Sequence, residues 1–206
     1  FLTNNDIEGH LDKKLPLISF DRRFEGVPCV ASDNYSGGLM ASEYLISKGC
    51  KHLMFIGDDA QGETTKVVTE VSKRRIGFME YAENKLDNPV INIEYPLGDY
   101  IRIPYSVHER INAHREVDGI FCISDAVATE VILELEKNGR RVPEDVRVMG
   151  YDGGRSFNNL GKSLTSIGQD PAKIATAIVE IINSYYGKES VSNKTIPVYF
   201  AQGETA

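Results

Sequence analysis

Six polar or aromatic residues could contact a ligand, because each falls at a predicted strand end, in a loop beside one, or at a helix start. They are Asp33, Arg74, Tyr100, Ser124, Asp152 and Gln169. Carboxylates and a guanidinium group form paired hydrogen bonds to hydroxyl groups, and an aromatic ring packs on the C–H face of a sugar ring. Ligands of parallel α/β sheets bind just past the carboxyl ends of the strands. Together, the six residues predict a site for a small polyhydroxylated molecule.

Three of these residues have a simpler interpretation that the sequence leaves open. Asp33 could cap the helix that follows it. Arg74 lies in the run Ser-Lys-Arg-Arg at 72–75 and could be a solvated surface charge. Tyr100 could be a partly buried aromatic side chain rather than a surface for a sugar ring.

The other three residues could serve only the backbone. Ser124 or Asp125 could be the N-cap of the next helix, and Asp125 is the favoured one. Asp152 could end its strand in an Asx turn, and Gln169 could cap the helix after it. Each residue alone is a weak signal, so the prediction depends on their combination.

The stretch 118–152 contains the clearest structural pattern in the chain. An apolar run at 119–123 ends at Ser124, and a helix-length segment then runs to Asn138-Gly139. A second apolar run at 146–149 enters the sequence Gly-Tyr-Asp that ends at Asp152. This order predicts a βαβ unit, with Ser124 and Asp152 just past the carboxyl ends of its two strands.

The same alternation continues along the rest of the chain. Strands are predicted at 15–20, 29–32, 53–56, 89–95, 164–167 and 195–200, and helices open at Ser36 and Pro171 and span 71–84 and 105–114. Alternating strands and helices predict an α/β fold with mostly parallel sheets and right-handed crossovers. No linker is rich in proline, glycine or serine, so any division into lobes is expected where the chain crosses between them.

Composition and charge exclude several classes of function. The 206 residues carry a formal net charge of −7, which disfavours nucleic-acid binding by the general surface, since phosphate recognition needs clustered lysine and arginine. No apolar run approaches the roughly 20 residues that span a bilayer, and the first residues do not resemble a signal peptide. Three widely spaced cysteines predict reduced, buried thiols in a cytoplasmic protein.

The sequence favours neither a metal site nor catalysis. Its four histidines are scattered without metal-ligand spacing, so no metal and no cofactor are predicted. The motifs GxSxG, HExxH and GxxxxGK[ST] are absent from it. The carboxylates of Asp33 and Asp152 could in principle form an acid–base pair. An enzyme is nevertheless the least favoured class of protein.

Nine segments occur in the order found in the lactose-repressor (LacI/GalR) family of bacterial transcription regulators. They are ASDNYSGG (31–38), LISKG (45–49), FIG (55–57), RxxGF (74–78), DGIFCISD (118–125), VPEDV (142–146), GYD (150–152), LTSIxQ (164–169) and GETA (203–206). No single segment is decisive, but the ordered set covers nearly the whole chain. The sequence therefore resembles this family.

The resemblance implies the effector-binding and dimerisation domain of a sugar-responsive repressor. Its fold would be periplasmic-binding-protein-like, with two lobes, three crossings between them, and the ligand in the cleft. Residues 1–58 and 170–190 would form the N-terminal lobe, and residues 59–169 and 191–206 the C-terminal lobe. A homodimer would bind operator DNA through a helix-turn-helix domain that these residues do not include. The sugar stays unnamed, with ribose and sucrose as guesses of equal rank.

The resemblance also implies a role for each of the six residues. Arg74 of RxxGF would grip sugar hydroxyls, and Tyr100 would pack on the sugar ring. Ser124 stands where the family has Asn or Ser, and Asp152 of GYD matches the family's carboxylate contact. Two further residues would lie near the cleft, Gln169 at a crossing and Asp33 on the first lobe.

The sequence departs from the family pattern at two places. Gly153 follows GYD where the family usually has a second Asp, so a contact or cap from that position is expected to be lost. Family members also carry a DNA-binding domain, a hinge and part of the first lobe before the strand at 15–20. The N-terminal lobe is therefore expected to be incomplete. The principal alternative is a periplasmic sugar-binding protein of a transporter, which has the same fold.

Overall fold

The computed structural model describes residues 15–58, 69–95, 103–153 and 161–206. The strands are β1 (Ser19–Phe20), β2 (Cys29–Ser32), β3 (Leu53–Asp58), β4 (Ile91–Tyr95), β5 (Gly119–Cys122), β6 (Arg147–Asp152), β7 (Thr165–Gly168), β8 (Lys194–Ile196) and β9 (Tyr199–Ala201). The helices are α1 (Asn34–Ser47), α2 (Lys73–Glu83), α3 (Tyr105–Ala113), α4 (Asp125–Lys137) and α5 (Pro171–Gly187). Tyr100 lies outside the described residues.

The strands form two sheets, called here the first sheet and the second sheet. The first sheet has the order β1-β2-β8, and the second sheet has the order β4-β3-β5-β6-β7-β9. All pairings between the strands named above are parallel except the antiparallel pair of β7 and β9. The predicted α/β fold with mostly parallel sheets is confirmed.

The strand predicted at 195–200 is wrong in one respect, because the structure contains two strands there. Strand β8 pairs with β2 in the first sheet, whereas β9 pairs with β7 in the second sheet. Pro197 lies between them and has no backbone N–H to donate to a ladder. The chain therefore leaves one sheet at this point and enters the other.

Along the described residues, the chain passes between the sheets three times, after β2, after β7 and after β8. The three passages lie side by side. The N–H of Asp33 donates to the carbonyl of Ile196 at 2.8 Å, and the hydroxyl of Ser32 donates to Oε1 of Gln169 at 3.2 Å. The predicted lobe bounds stay a prediction, although two strands pair differently from what they imply. Strand β3 belongs to the second sheet and β8 to the first.

Each sheet has its own hydrophobic core. The larger core surrounds the second sheet and contains the contacting rings of Phe55, Phe78 and Phe121. The smaller core packs α5 on the first sheet through Ala177 and Ile181. The three cysteines are buried and free, as predicted. In the part of the chain that the structure describes, no helix is both long and apolar enough to cross a membrane.

The helix caps settle several of the open interpretations. Asp33 caps α1, since its carboxylate accepts hydrogen bonds from the N–H and the hydroxyl of Ser36. Ser124, not Asp125, is the N-cap of α4 and accepts from the N–H of Val127. Ser124 has the extended backbone that a cap requires, whereas Asp125 already lies inside the helix.

The N-cap of α5 is Asp170, not Gln169. Asp170 accepts from the N–H of Lys173, and Pro171 occupies the first turn. Gln169 precedes this cap, so its side chain is available for other contacts.

Candidate ligand-binding site

Arg74 lies at the centre of a polar cluster where the two sheets meet. It is only 5% exposed, so it is not the solvated charge that its neighbours in sequence suggest. Its Nε donates to Oδ1 of Asn34 and its Nη1 to the carbonyl of Ile123, both at 2.7 Å. The guanidinium also stacks on the ring of Tyr151, with 3.6 Å from Cζ to the ring centroid. These contacts fix the plane of the guanidinium.

Two carboxylates flank this guanidinium from opposite sheets. Oδ2 of Asp21, directly after β1, lies 3.7 Å from Nη2 of Arg74. Oδ1 of Asp152, at the end of β6, lies 3.6 Å from Nη1. Both separations exceed a hydrogen bond, so the carboxylates neutralise Arg74 while these N–H groups keep the capacity to bind a ligand oxygen.

The environment raises the pKa of both carboxyl groups. Burial is the main cause at Asp21, and the N–H of Ser32 and the charge of Arg74 oppose it. Partial removal from water is likewise the main cause at Asp152, opposed by Arg74 and by the hydrogen bond from Gln169. Each group therefore accepts a proton at a higher pH than an ordinary aspartate.

Gln169 links the two sheets beside these carboxylates. Its Nε2 donates to Oδ1 of Asp152 at 2.9 Å, while its Oε1 accepts from the hydroxyl of Ser32 at the end of β2. An amide suits this bridging position because its NH2 group donates and its carbonyl oxygen accepts. Gln169 therefore lies at a crossing between the two sheets.

Ser124 and Asp33 both cap helices, and in each case a neighbour in sequence contacts Arg74. Ser124 directly follows Ile123, whose carbonyl binds the guanidinium, but the Ser124 hydroxyl serves as a helix cap. Asp33 is engaged with Ser36, and its neighbour Asn34 is the residue that contacts Arg74. A ligand contact by any of the six residues, including Tyr100, stays a prediction.

Three residues of the cluster were missed in the sequence, namely Asp21, Asn34 and Tyr151. Asp21 directly follows a predicted strand, so the rule that selected Asp152 would also have selected it. Asn34 lies beside Asp33 at one predicted strand end, and the sequence does not show which of the two reaches Arg74; Tyr151 carries no such signal. Asn34 is 40 positions away from the arginine that it contacts, and a fully buried tyrosine on a central strand resembles an ordinary core residue.

Two glycines place Arg74 next to Asn34. A Cβ at Gly38 of α1 would overlap the carbonyl oxygen of Arg74, and a Cβ at Gly77 of α2 would overlap the carbonyl oxygen of Tyr35. The backbones of α1 and α2 therefore touch directly, which only glycine permits. This close approach brings the first turn of α2 against the first turn of α1.

No group of His, Cys, Asp and Glu side chains among the described residues has the arrangement to hold a metal ion. The cluster instead offers a guanidinium, two carboxylates and an amide close to one another. Such a set suits a small molecule with several hydroxyl groups.

The fold and the cluster are those of a two-sheet α/β domain with polar groups gathered at the crossings between the sheets. A family model described as a periplasmic binding protein-like domain matches residues 42–200, so the chain belongs to that family. A crystal structure of a periplasmic binding protein/LacI transcriptional regulator from Alkaliphilus metalliredigens, complexed with D-xylulofuranose, has 27% identity and a TM-score of 0.78. That similarity covers 94% of this chain and 71% of the other.

Two operon repressors are among the relatives of this chain. The ribose operon repressor of Halalkalibacterium halodurans is 31% identical over 157 residues, which are 75% of this chain and 45% of the relative. The sucrose operon repressor of Pediococcus pentosaceus is 31% identical over 208 residues, 98% of this chain and 62% of the relative. The resemblance to the lactose-repressor family is thereby confirmed. The chain spans about half to three fifths of the length of these relatives.

Proposed function

We propose that this chain is the effector-binding part of a cytoplasmic, sugar-responsive transcriptional repressor. The observation that carries the proposal is the buried Arg74, which is flanked by a carboxylate from each sheet and stacked on Tyr151. Operon repressors for ribose and sucrose are among its relatives. A neutral sugar is the favoured ligand, since the two carboxylates already neutralise the guanidinium.

Binding of the sugar would favour one arrangement of the two sheets. Asp21 belongs to the first sheet and Asp152 to the second, so a ligand that contacts both holds the sheets together. The resulting shift in equilibrium can be no larger than the difference in ligand affinity between the two arrangements. In a homodimer, the shift would change operator binding by the DNA-binding domains of the whole protein.

Isothermal titration calorimetry with ribose and with sucrose tests the proposal, using Arg74→Ala and Arg140→Ala. Arg140 is the matched control because it is also a buried arginine, bound to the carbonyls of His114 and Val117 away from the cluster. Arg74→Ala should weaken binding roughly 10- to 150-fold, since each hydrogen bond to a charged group contributes about 1.5–3 kcal/mol. Arg140→Ala should lower the melting temperature without changing affinity.

The outcomes distinguish this proposal from its alternatives. Equal affinity of wild type and Arg74→Ala would contradict the site. Sugar binding without any effect on operator binding by the whole protein would favour the periplasmic binding protein of a transporter. Conversion of the sugar by the purified protein would favour an enzyme.

A further inference from the structure

The backbone that carries Asp152 has an unusual conformation. Asp152 has a φ of +112° and Gly153 a φ of +69°. A non-glycine residue rarely adopts such a φ, and surrounding contacts must hold it there. The orientation of the Asp152 carboxylate therefore depends on whatever restrains residues 152 and 153.

A buried chain of hydrogen bonds supplies one such restraint. The N–H of Gly153 donates to Oγ of Ser166 at 3.1 Å. The Ser166 hydroxyl in turn donates to Oδ1 of Asp125 at 2.6 Å, much closer than its other acceptor, the carbonyl of Ile167 at 3.4 Å. Ser166 and Asp125 are 2% and 1% exposed, so water does not compete for these bonds.

Close packing around these hydrogen bonds explains why glycines lie beside them. A Cβ at Gly150, which is paired with Ser166 in the sheet, would overlap Oδ1 of Asp125. A Cβ at Gly153 would lie 2.6 Å from Cα of Gly168, which the ring of Tyr199 covers. Glycine at 153 therefore suits both its positive φ and this close contact.

We propose that Asp125, acting through Ser166, is a positioning residue for the ligand carboxylate of Asp152. Asp125 does not need to touch the ligand. Its carboxylate fixes the Ser166 hydroxyl so that Oγ accepts from Gly153, and the restrained backbone then points Asp152 toward Arg74 and Gln169. The effect on sugar binding rests on the proposed function, whereas the effect on the backbone at 153 does not.

The binding arm of the test is a double-mutant cycle with ribose and sucrose as probes. Ser166→Ala should weaken binding roughly 2- to 13-fold, the range that corresponds to one hydrogen bond of about 0.5–1.5 kcal/mol. In the Asp152→Ala background the same change should have no further effect. An equal loss in both backgrounds would show that Ser166 acts independently of Asp152 and would overturn the proposal.

Thr165→Val is the matched control for this cycle. Thr165 is the neighbour of Ser166 on β7, is fully buried, and has a hydroxyl without a hydrogen-bond partner among the described residues. Its removal should leave affinity unchanged. A loss equal to that of Ser166→Ala would assign the effect to general disturbance of β7.

The second arm needs no sugar and observes Gly153 directly. Only Asp118-Gly119 and Asp152-Gly153 are Asp–Gly pairs in the sequence, so a sample labelled with carbonyl-¹³C aspartate and ¹⁵N glycine gives one signal for each. Ser166→Ala should shift the Gly153 signal and speed its hydrogen exchange, while Gly119 stays unchanged. An unaltered Gly153 signal would overturn the proposal even if sugar binding were lost.

Further variants keep the test decisive. Asp125→Ala removes the acceptor of the Ser166 hydroxyl and should speed exchange at Gly153 as Ser166→Ala does, whereas Asp125→Asn retains an acceptor oxygen and should preserve slow exchange; unchanged exchange in Asp125→Ala would overturn the proposal. If Ser166→Ala does not fold, Ser166→Cys replaces it, because a thiol is only a weak donor and acceptor, and exchange at Gly153 must still rise. Failure of the wild type to bind either sugar would count against the proposed function, whereas the exchange result would still decide the role of Asp125.

Discussion

At the scale of single residues, the raised pKa of Asp152 connects ligand binding with pH. The ionised carboxylate accepts hydrogen bonds with both oxygens, whereas protonation turns one oxygen into a donor. Because its pKa lies above the ordinary value, sugar affinity should begin to fall on acidification at a higher pH than an ordinary aspartate would give. Calorimetric titrations across this range should show that decline in the wild type and a shallower one in Asp152→Asn. An identical pH profile for both proteins would exclude Asp152 from the site.

The same shift predicts the opposite effect on folding stability. A carboxyl group whose pKa is raised in the folded state opposes folding when it is ionised, and this penalty disappears as the pH falls below the unfolded-state pKa. The gain in the free energy of unfolding from Asp152→Asn, measured against wild type, should therefore be larger at neutral pH than at acid pH. Denaturant titrations at both pH values measure that difference. Asp145→Asn should show the reverse trend, since Arg141 lowers the pKa of Asp145.

The sequence predicts part of the cluster and misses the rest for identifiable reasons. Arg74 follows from its place at a predicted helix start, and Asp152 and Gln169 follow from their places at strand ends; the structure brings all three together. Asp33 and Asn34 differ by one position, yet the helix start makes the first a cap and turns the second toward Arg74. Local sequence contains no information about which of two adjacent polar residues faces a helix 40 positions away.

At the scale of elements, the contact between α1 and α2 determines where Arg74 lies. Gly77→Ala would place a methyl group against the carbonyl of Tyr35 and force the helices apart. Such overpacking in a core typically costs about 1–3 kcal/mol. We expect a lower free energy of unfolding and weaker sugar binding, measured by chemical denaturation and calorimetry. Arg74 would move relative to Asn34 and to the carbonyl of Ile123.

Gly187→Ala is the matched control, since Gly187 also lies in a helix. A Cβ there would meet no atom closer than 3.8 Å. The substitution should leave affinity unchanged and should not destabilise the protein, because alanine has the higher helix propensity. Loss of binding in both variants would mean that the contact between α1 and α2 is not the cause.

The sequence also does not predict which sheet a strand joins. The segment 195–200 alternates like a single strand, but its residues belong to two sheets. Each half is locally consistent with a strand, and only the positions of β2 and β7 decide the partner of each half. The type of each element follows from local pattern, whereas its sheet follows from contacts with distant parts of the chain.

At the scale of the whole molecule, an ion pair joins the two sides of the polar cluster. Arg23, between β1 and β2, donates from Nε to Oε1 of Glu70, before α2, at 2.5 Å. Glu70 is 5% exposed and also accepts from Nζ of Lys73. Burial acts to raise the pKa of Glu70, but the hydrogen bonds from Lys73 and Arg23 outweigh it and leave the pKa lowered. The pair therefore stays ionised at neutral pH.

Because this pair connects the two sheets, it should favour the arrangement in which they are close even without sugar. Apparent affinity scales with the fraction of molecules in the binding-competent arrangement. Arg23→Ala should therefore weaken sugar binding by up to roughly fivefold, since a partly exposed ion pair contributes about 0.2–1 kcal/mol. Small-angle scattering should show a larger radius of gyration for the sugar-free variant, and saturating sugar should restore the wild-type value.

Arg141→Ala separates this effect from the general loss of an arginine. Arg141 also pairs with a carboxylate, Asp145, but both residues lie four positions apart on the side of the second sheet. Its removal should change neither the radius of gyration nor the affinity. Added salt should weaken sugar binding to wild type more than to Arg23→Ala, because screening acts on the cross-sheet pair only where that pair exists. Equal salt dependence in the two proteins would show that the pair does not contribute to closure.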